Sequence, residues 1–112
     1  MFKNYLTHQF ALNFDRGAHM IEIGAPWQEQ LRVCSRNIMI FFERSLRDKA
    51  PQEELRNLCV AILYLRECRE ILTQARVEDR DLLARFEVLH GRLERLCAGA
   101  AEEEGGQLRL FG

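Results

Sequence analysis

Leu55, Leu58, Ile62, Leu65, Cys68 and Leu72 recur at steps of three and four residues, which sets them on one face of a helix. Val60, Leu63 and Tyr64 lie off that stripe, so the middle of this helix is apolar nearly all round. A helix of that kind is covered on more than one side, by other helices or by a second copy of the chain. The pattern predicts the central helix of a bundle, with a further contact to a partner subunit.

The same period runs through the rest of the chain. Leu6, Phe10, Phe14, Ala18 and Ile21 predict a first helix over about residues 4–22, weakened at Gly17 by about 1 kcal/mol relative to alanine. Gly24-Ala25-Pro26 ends it, and Pro26 suits the start of a second helix through Trp27, Leu31, Cys34, Ile38, Phe41 or Phe42, and Leu46. Met39 and Ile40 broaden that helix's apolar face, and Glu43 and Arg47 have the spacing of a surface ion pair. Pro51 opens the third helix, with Glu53 and Glu54 complementing its dipole. Asp79 is placed to cap a fourth, in which Leu82, Phe86, Leu89, Leu93 and Leu96 make a coiled-coil-like seam. Four helices on short loops predict an all-α, up-down-up-down four-helix bundle over residues 1–98. Met39, Ile40, Val60, Leu63 and Tyr64 have two readings: a thick core, or an oligomer interface, because monomers rarely expose large apolar patches.

Beyond Cys97 the composition shifts to Ala-Gly-Ala-Ala-Glu-Glu-Glu-Gly-Gly, which predicts a flexible acidic linker within residues 99–112. It leads to Gln107-Leu108-Arg109-Leu110-Phe111-Gly112, an apolar cluster without a folding role that invites a binding reading.

Charge narrows the partners. At 112 residues the chain suits one domain, and its formal net charge of −1 predicts no general attraction to nucleic acid or acidic membranes. All but Lys3 and Lys49 of its 16 basic residues are arginine, which leaves room for a local basic face. Cys34, Cys59, Cys68 and Cys97 each fall inside a helical pattern with no CxxC pair and read as reduced core thiols. The first ten residues carry no apolar signal core, and the run 58–65 is too short for the ~20 residues a membrane span needs. The expected location is the cytoplasm.

Catalytic motifs are missing from the pattern. No phosphate loop, HExxH or serine elbow occurs. Glu87 and His90 have the i,i+3 spacing of a metal pair, but di-metal bundles use that pair twice with further glutamates. The expectation is a protein with no catalytic residues, no metal and no cofactor.

Two resemblances add to this reading. The segment Ala61-Ile62-Leu63-Tyr64-Leu65-Arg66-Glu67-Cys68-Arg69-Glu70-Ile71-Leu72 resembles the A-(x)-G-S-L-R-E-C-x-x-I-L motif of the four-helix-bundle family encoded in intervening sequences of bacterial 23S rRNA genes. Pro26, Gln30-Leu31 and Cys34-Ser35-Arg36-Asn37-Ile38 look like the start of that family's second helix; Ile40-Phe41-Phe42-Glu43-Arg44 departs from its usual N-(I/L)-A-E-G. The resemblance implies a bundle that assembles into a ring-like homo-oligomer, typically a pentamer, without enzymatic activity. A relative, the accessory protein of diversity-generating retroelements, implies nucleic acid or a reverse transcriptase as a partner. Separately, Gln107, Leu108, Leu110 and Phe111 resemble the Q-L-(S/D)-L-F peptide that binds the bacterial sliding clamp, with Arg109 departing from it. Four such matches arise by chance in about one chain of this length in a few hundred. That resemblance implies an adaptor whose Leu110 and Phe111 enter an apolar pocket while the Gln107 amide gives direction. The alternative is a nucleic-acid-binding accessory protein that uses the bundle's arginines.

Overall fold

A computed structural model describes the backbone of residues 2–47 and 50–111 and the side chains of residues 4–47 and 50–102. The described chain is all-helical, as expected: α1 (Phe2–Met20), α2 (Trp27–Arg47), α3 (Pro51–Gln74) and α4 (Arg80–Phe111). Among the described residues, α1 packs on α2 and α4, α3 packs on α2 and α4, and the pairs α1–α3 and α2–α4 do not pack together. Helix α3 is therefore one corner of a four-membered cycle, not its centre.

The helix ends follow local chemistry. Gly24 takes φ 80° in the turn after α1, a backbone that glycine adopts without steric cost, and the Ala25–Pro26 peptide is cis. The Gln28 side-chain oxygen accepts the Ile23 N–H at 3.0 Å, which ties the turn to the first residues of α2. Helix α3 starts with Pro51 in its first turn beside Glu53 and Glu54, as its sequence predicts. Asp79 caps α4: its Oδ1 accepts the Leu82 N–H at 3.0 Å. At the far end of α3, Val77 N–H reaches Leu72 O at 2.9 Å and Arg76 N–H reaches Thr73 O at 3.1 Å. This is a Schellman closure, and its left-handed residue is Arg76 (φ 57°), where glycine is usual.

The core is built from the expected faces of α3 and α4. Leu58, Ile62, Leu65, Cys68 and Leu72 are buried with Ala61 and Ile71, opposite Leu82, Phe86, Leu89 and Leu93. Phe14 meets Phe86 at 6.4 Å between ring centroids, joining α1 to α4. Gly17 has a packing role behind its helix cost: a Cβ there would lie 2.9 Å from Leu82 Cδ1, so the missing side chain lets α4 approach.

Three local expectations need correction. In α2 the buried positions are Leu31, Ser35, Ile38, Phe42 and Ser45, while Leu46 is exposed. Steps of four, three, four and three bring Ser45 round to the core; Leu46 falls a further 100° away. Ser45 tolerates burial because its hydroxyl donates to the Phe42 carbonyl. In α1, Thr7 and Ala11 are buried where Leu6 and Phe10 lie only partly covered. Glu43 engages His8 of α1 at 3.4 Å instead of Arg47, so the acid links two helices.

Helix α4 continues past the boundary that composition suggests at residue 98. Ala98, Ala100 and Ala101 are good helix formers, and Ala100 is buried in the core cluster. The side chains of residues 103–112 lie outside those described.

The end of α3 yields a prediction. Arg76→Gly relieves the left-handed backbone and raises stability by about 1 kcal/mol, whereas Arg76→Ala, which retains a Cβ, leaves it nearly unchanged. Urea midpoints of the three proteins decide it.

Candidate functional site

The α3/α4 face gathers the most reactive side chains. On α4, His90, Glu94 and Cys97 stand at i, i+4 and i+7 and so share a side. On α3, Cys59, Ile62, Leu63 and Arg66 oppose them across an open cavity of about 320 Å³ whose wall also includes Glu94 and Cys97. The Cys59 and Cys97 sulfurs are 4.0 Å apart. His90 Nδ1 donates to Glu94 at 2.8 Å, and its Nε2 accepts from Arg66 Nε at 3.4 Å. Phe86 stacks on the imidazole at 5.4 Å. The ring is held by both nitrogens and one face, which fixes Arg66 and Glu94 around the thiol pair.

The four cysteines sort into two pairs. Cys68 is fully buried, Cys34 and Cys97 are partly covered and Cys59 is exposed, which corrects the expectation of four core thiols. Cys59 directly follows Leu58, so it lies 100° round α3 from the buried stripe; that offset was visible in the sequence. A hydrogen bond from the Cys68 thiol lowers the Cys34 pKa, while the same bond and burial raise that of Cys68. Burial, the facing Cys59 and Glu94 raise Cys97 from 9.0 to about 12, against a smaller lowering pull from Arg66.

Sequence reasoning missed a polar contact between α1 and α2. Ser35 Oγ donates to Asp15 Oδ1 at 2.6 Å, and His19 Nδ1 lies 2.8 Å from the Asp15 carbonyl. These are the residue types of a hydrolytic triad, but the hydroxyl is committed to the carboxylate instead of an imidazole base, so the cluster reads as a register lock. A second cavity, about 200 Å³, is lined by Thr7, Arg92, Arg95 and Leu96. Arg92 lies over Phe10 at 5.6 Å, and its buried Nη2 lacks a hydrogen-bond partner among the described residues.

Of the expected interface residues, Val60, Leu63 and Tyr64 share one groove on α3. Phe41 stacks on Tyr64 at 5.7 Å, joining α2 to α3, while Met39, two residues and so about 200° round α2 from Phe41, packs against the core from another side. Ile40 is 39% and Leu63 61% exposed, so neither belongs to a thick core; Met39, Val60 and Tyr64 are half-buried. Val60, Leu63, Tyr64 and Glu67 line a shallow cavity of about 360 Å³, so Leu63 stands as a ridge between two grooves. Glu87 is exposed and does not join His90, whose acidic partner is Glu94 one helical turn on. Among the described residues, no three His, Cys, Asp or Glu side chains converge as a metal site. The binding residues expected from the sequence, Gln107, Leu108, Leu110 and Phe111, lie outside the described side chains. Among the described residues, no helix is long and apolar enough to cross a membrane.

Compared with protein-family models, curated proteins and solved structures, the chain matches none of them.

The Cys97 shift sets a pH dependence. The unfolded thiol releases its proton near 9.0, the folded one near 12, so the folded state holds the extra proton between those values. This contribution is fully present below about pH 9 and is lost as pH rises towards 12. Cys97→Ser is expected to flatten the fall of the urea midpoint between about pH 9 and about pH 11, compared with the parent protein.

Proposed function

We propose that this chain is a non-enzymatic adaptor that binds the bacterial sliding clamp through Gln107, Leu108, Leu110 and Phe111. The observation that carries the reading is the peptide itself, Gln107-Leu108-Arg109-Leu110-Phe111, lying beyond Ala100, a buried residue late in α4. An extended peptide presents alternate side chains to pockets and its backbone to a strand edge. Here the segment belongs to α4, so binding in that form requires its last turns to unwind. Gly105 and Gly106 lower the cost, since each is about 1 kcal/mol less favourable in a helix than alanine.

The bundle is the carrier. Its cycle of adjacent helices on short connections supports an up-down-up-down arrangement. The exposed Ile40 and the exposed Leu63, with Val60 and Tyr64 beside Leu63, support assembly with further copies of the chain; the half-buried Met39 is kept as a further interface candidate from the sequence. A ring of five is the form that the family resemblance implies. One peptide of this length binds at about micromolar strength, near −8 kcal/mol, and several on one assembly add avidity where two reach the same clamp. Such an adaptor works in the bacterial cytoplasm during replication, repair or retroelement mobility.

Titration of the purified protein with the sliding clamp tests this reading. Removal of residues 107–112 is expected to abolish binding while the rest of the helical signal persists; binding that survives truncation overturns it. In the same titration, Leu63→Glu should lower apparent affinity to that of a single peptide by breaking the assembly, which sedimentation reports independently.

A second reading has its own observation. The Arg92–Arg95 cavity, with an Arg92 Nη2 that has no hydrogen-bond partner among the described residues, suits a phosphate group and supports nucleic acid as a partner, alone or with a reverse transcriptase. Under that reading, Arg92→Gln with Arg95→Gln weakens RNA or DNA binding and reduces the slope of log affinity against log salt by about two. An unchanged slope sinks it.

A further inference from the structure

We propose that Cys59 and Cys97 are an oxidation site, a dithiol that a hydroperoxide converts into a disulfide joining α3 to α4. The two sulfurs already lie 4.0 Å apart across 38 residues of chain. A disulfide bond is about 2.05 Å long, so closure needs a relative movement of about 2 Å, within reach of side-chain rotation and a small helix shift. Both thiols open on the cavity of about 320 Å³, which is ample for a small peroxide. Cys59 is exposed, whereas Cys68 of the other thiol pair is fully buried on the core side of α3. Proximity is common to both pairs; oxidant access favours Cys59 and Cys97.

The roles follow from exposure. The Cys59 thiolate attacks one peroxide oxygen, the O–O bond breaks, and the departing hydroxide takes a proton to leave as water. Cys59 is then a sulfenic acid. The Cys97 sulfur, as thiolate, attacks the Cys59 sulfur; the S–O bond breaks and the second hydroxide leaves as water with the remaining proton. In sum, two thiols and one hydrogen peroxide give one disulfide and two waters, and the sulfur pair loses two electrons. Among the described residues, Arg66 is the cation beside the pair that favours the Cys97 thiolate, opposed by burial, by Cys59 and by Glu94. The proton on Cys97 makes the second step the slow one near neutral pH, with closure faster as pH rises.

The site rests on the packing of α3 against α4 and not on residues 107–112. Its failure and that of the clamp reading are therefore distinguishable.

The test uses the intact, reduced protein treated with a few equivalents of hydrogen peroxide, then quenched, alkylated and digested without reductant. The expected result is a loss of two free thiols per chain, a peptide pair linked through Cys59 and Cys97, and full reversal by dithiothreitol. Cys34→Ser is expected to form the same link at the same rate, and closure should accelerate when pH is raised from about 7 to about 9. Retention of all four thiols overturns the proposal. So does a Cys59 that stops at sulfenic or sulfinic acid without capturing Cys97, or a link formed through Cys34 or between two chains. Because the parent protein supplies the decisive peptide map, a variant that folds poorly does not obscure the answer.

Discussion

The seam along α3 constrains the whole molecule. Seven of its side chains, from Leu58 to Leu72, are buried, and they face α2 on one side and α4 on the other. Fully burying one leucine or isoleucine contributes about 1.5–3 kcal/mol, so leaving either flank open would forfeit several such terms. Helix α1 then takes the remaining place, packed on α2 and α4 but not on α3. Its Phe14 reaches Phe86, and Gly17 gives Leu82 the space to come close. A four-membered cycle satisfies the apolar stripe of every helix with two neighbours each, which is why α3 needs no central position.

Apolar burial alone does not choose one register, since neighbouring registers bury similar surface. The polar contacts do. Ser35 is buried on the α1-facing side of α2 and keeps its hydrogen bond only when Asp15 lies opposite it, at 2.6 Å. His8 and Glu43 repeat that link further along the same pair of helices. Leaving the Ser35 hydroxyl buried without Asp15 would cost about 1–3 kcal/mol, enough to discriminate against a slipped α1.

This explains which parts were legible in the sequence. A periodicity of three and four reports which face of a helix is apolar, so the α3 and α4 stripes were readable, as were Pro51 and Asp79 at their helix starts. Periodicity does not report which small polar residue turns inward. Ser35 and Ser45 took places assigned to Cys34 and Leu46, because a hydroxyl that finds a partner can replace a methyl group at a helix corner. Nor does it report pairs between helices. The distance between Cys59 and Cys97, and the choice of Glu94 over Glu87 by His90, depend on how α3 and α4 rotate against each other. Exposure of Ile40 and Leu63 was half legible: the sequence showed excess apolar surface without saying whether the fold would cover it.

That leftover surface bears on what the bundle can do. An interior that closes with two neighbours per helix does not use Leu63, which is 61% exposed between two grooves. On one side lies the groove with Val60, Tyr64 and Glu67; on the other lies the thiol pair with Arg66 and Glu94. A second copy seated on the first groove would cover Leu63 and so form one wall of the groove that holds Cys59. Assembly and thiol access would then be linked through a single side chain, because whatever buries Leu63 also narrows the approach to Cys59. The polar end of that groove, with Arg66 held by His90 and His90 by Glu94, is fixed by α3 and α4 within one chain. The charges around the thiols are therefore set by the fold of one chain, in which Cys59 stands exposed.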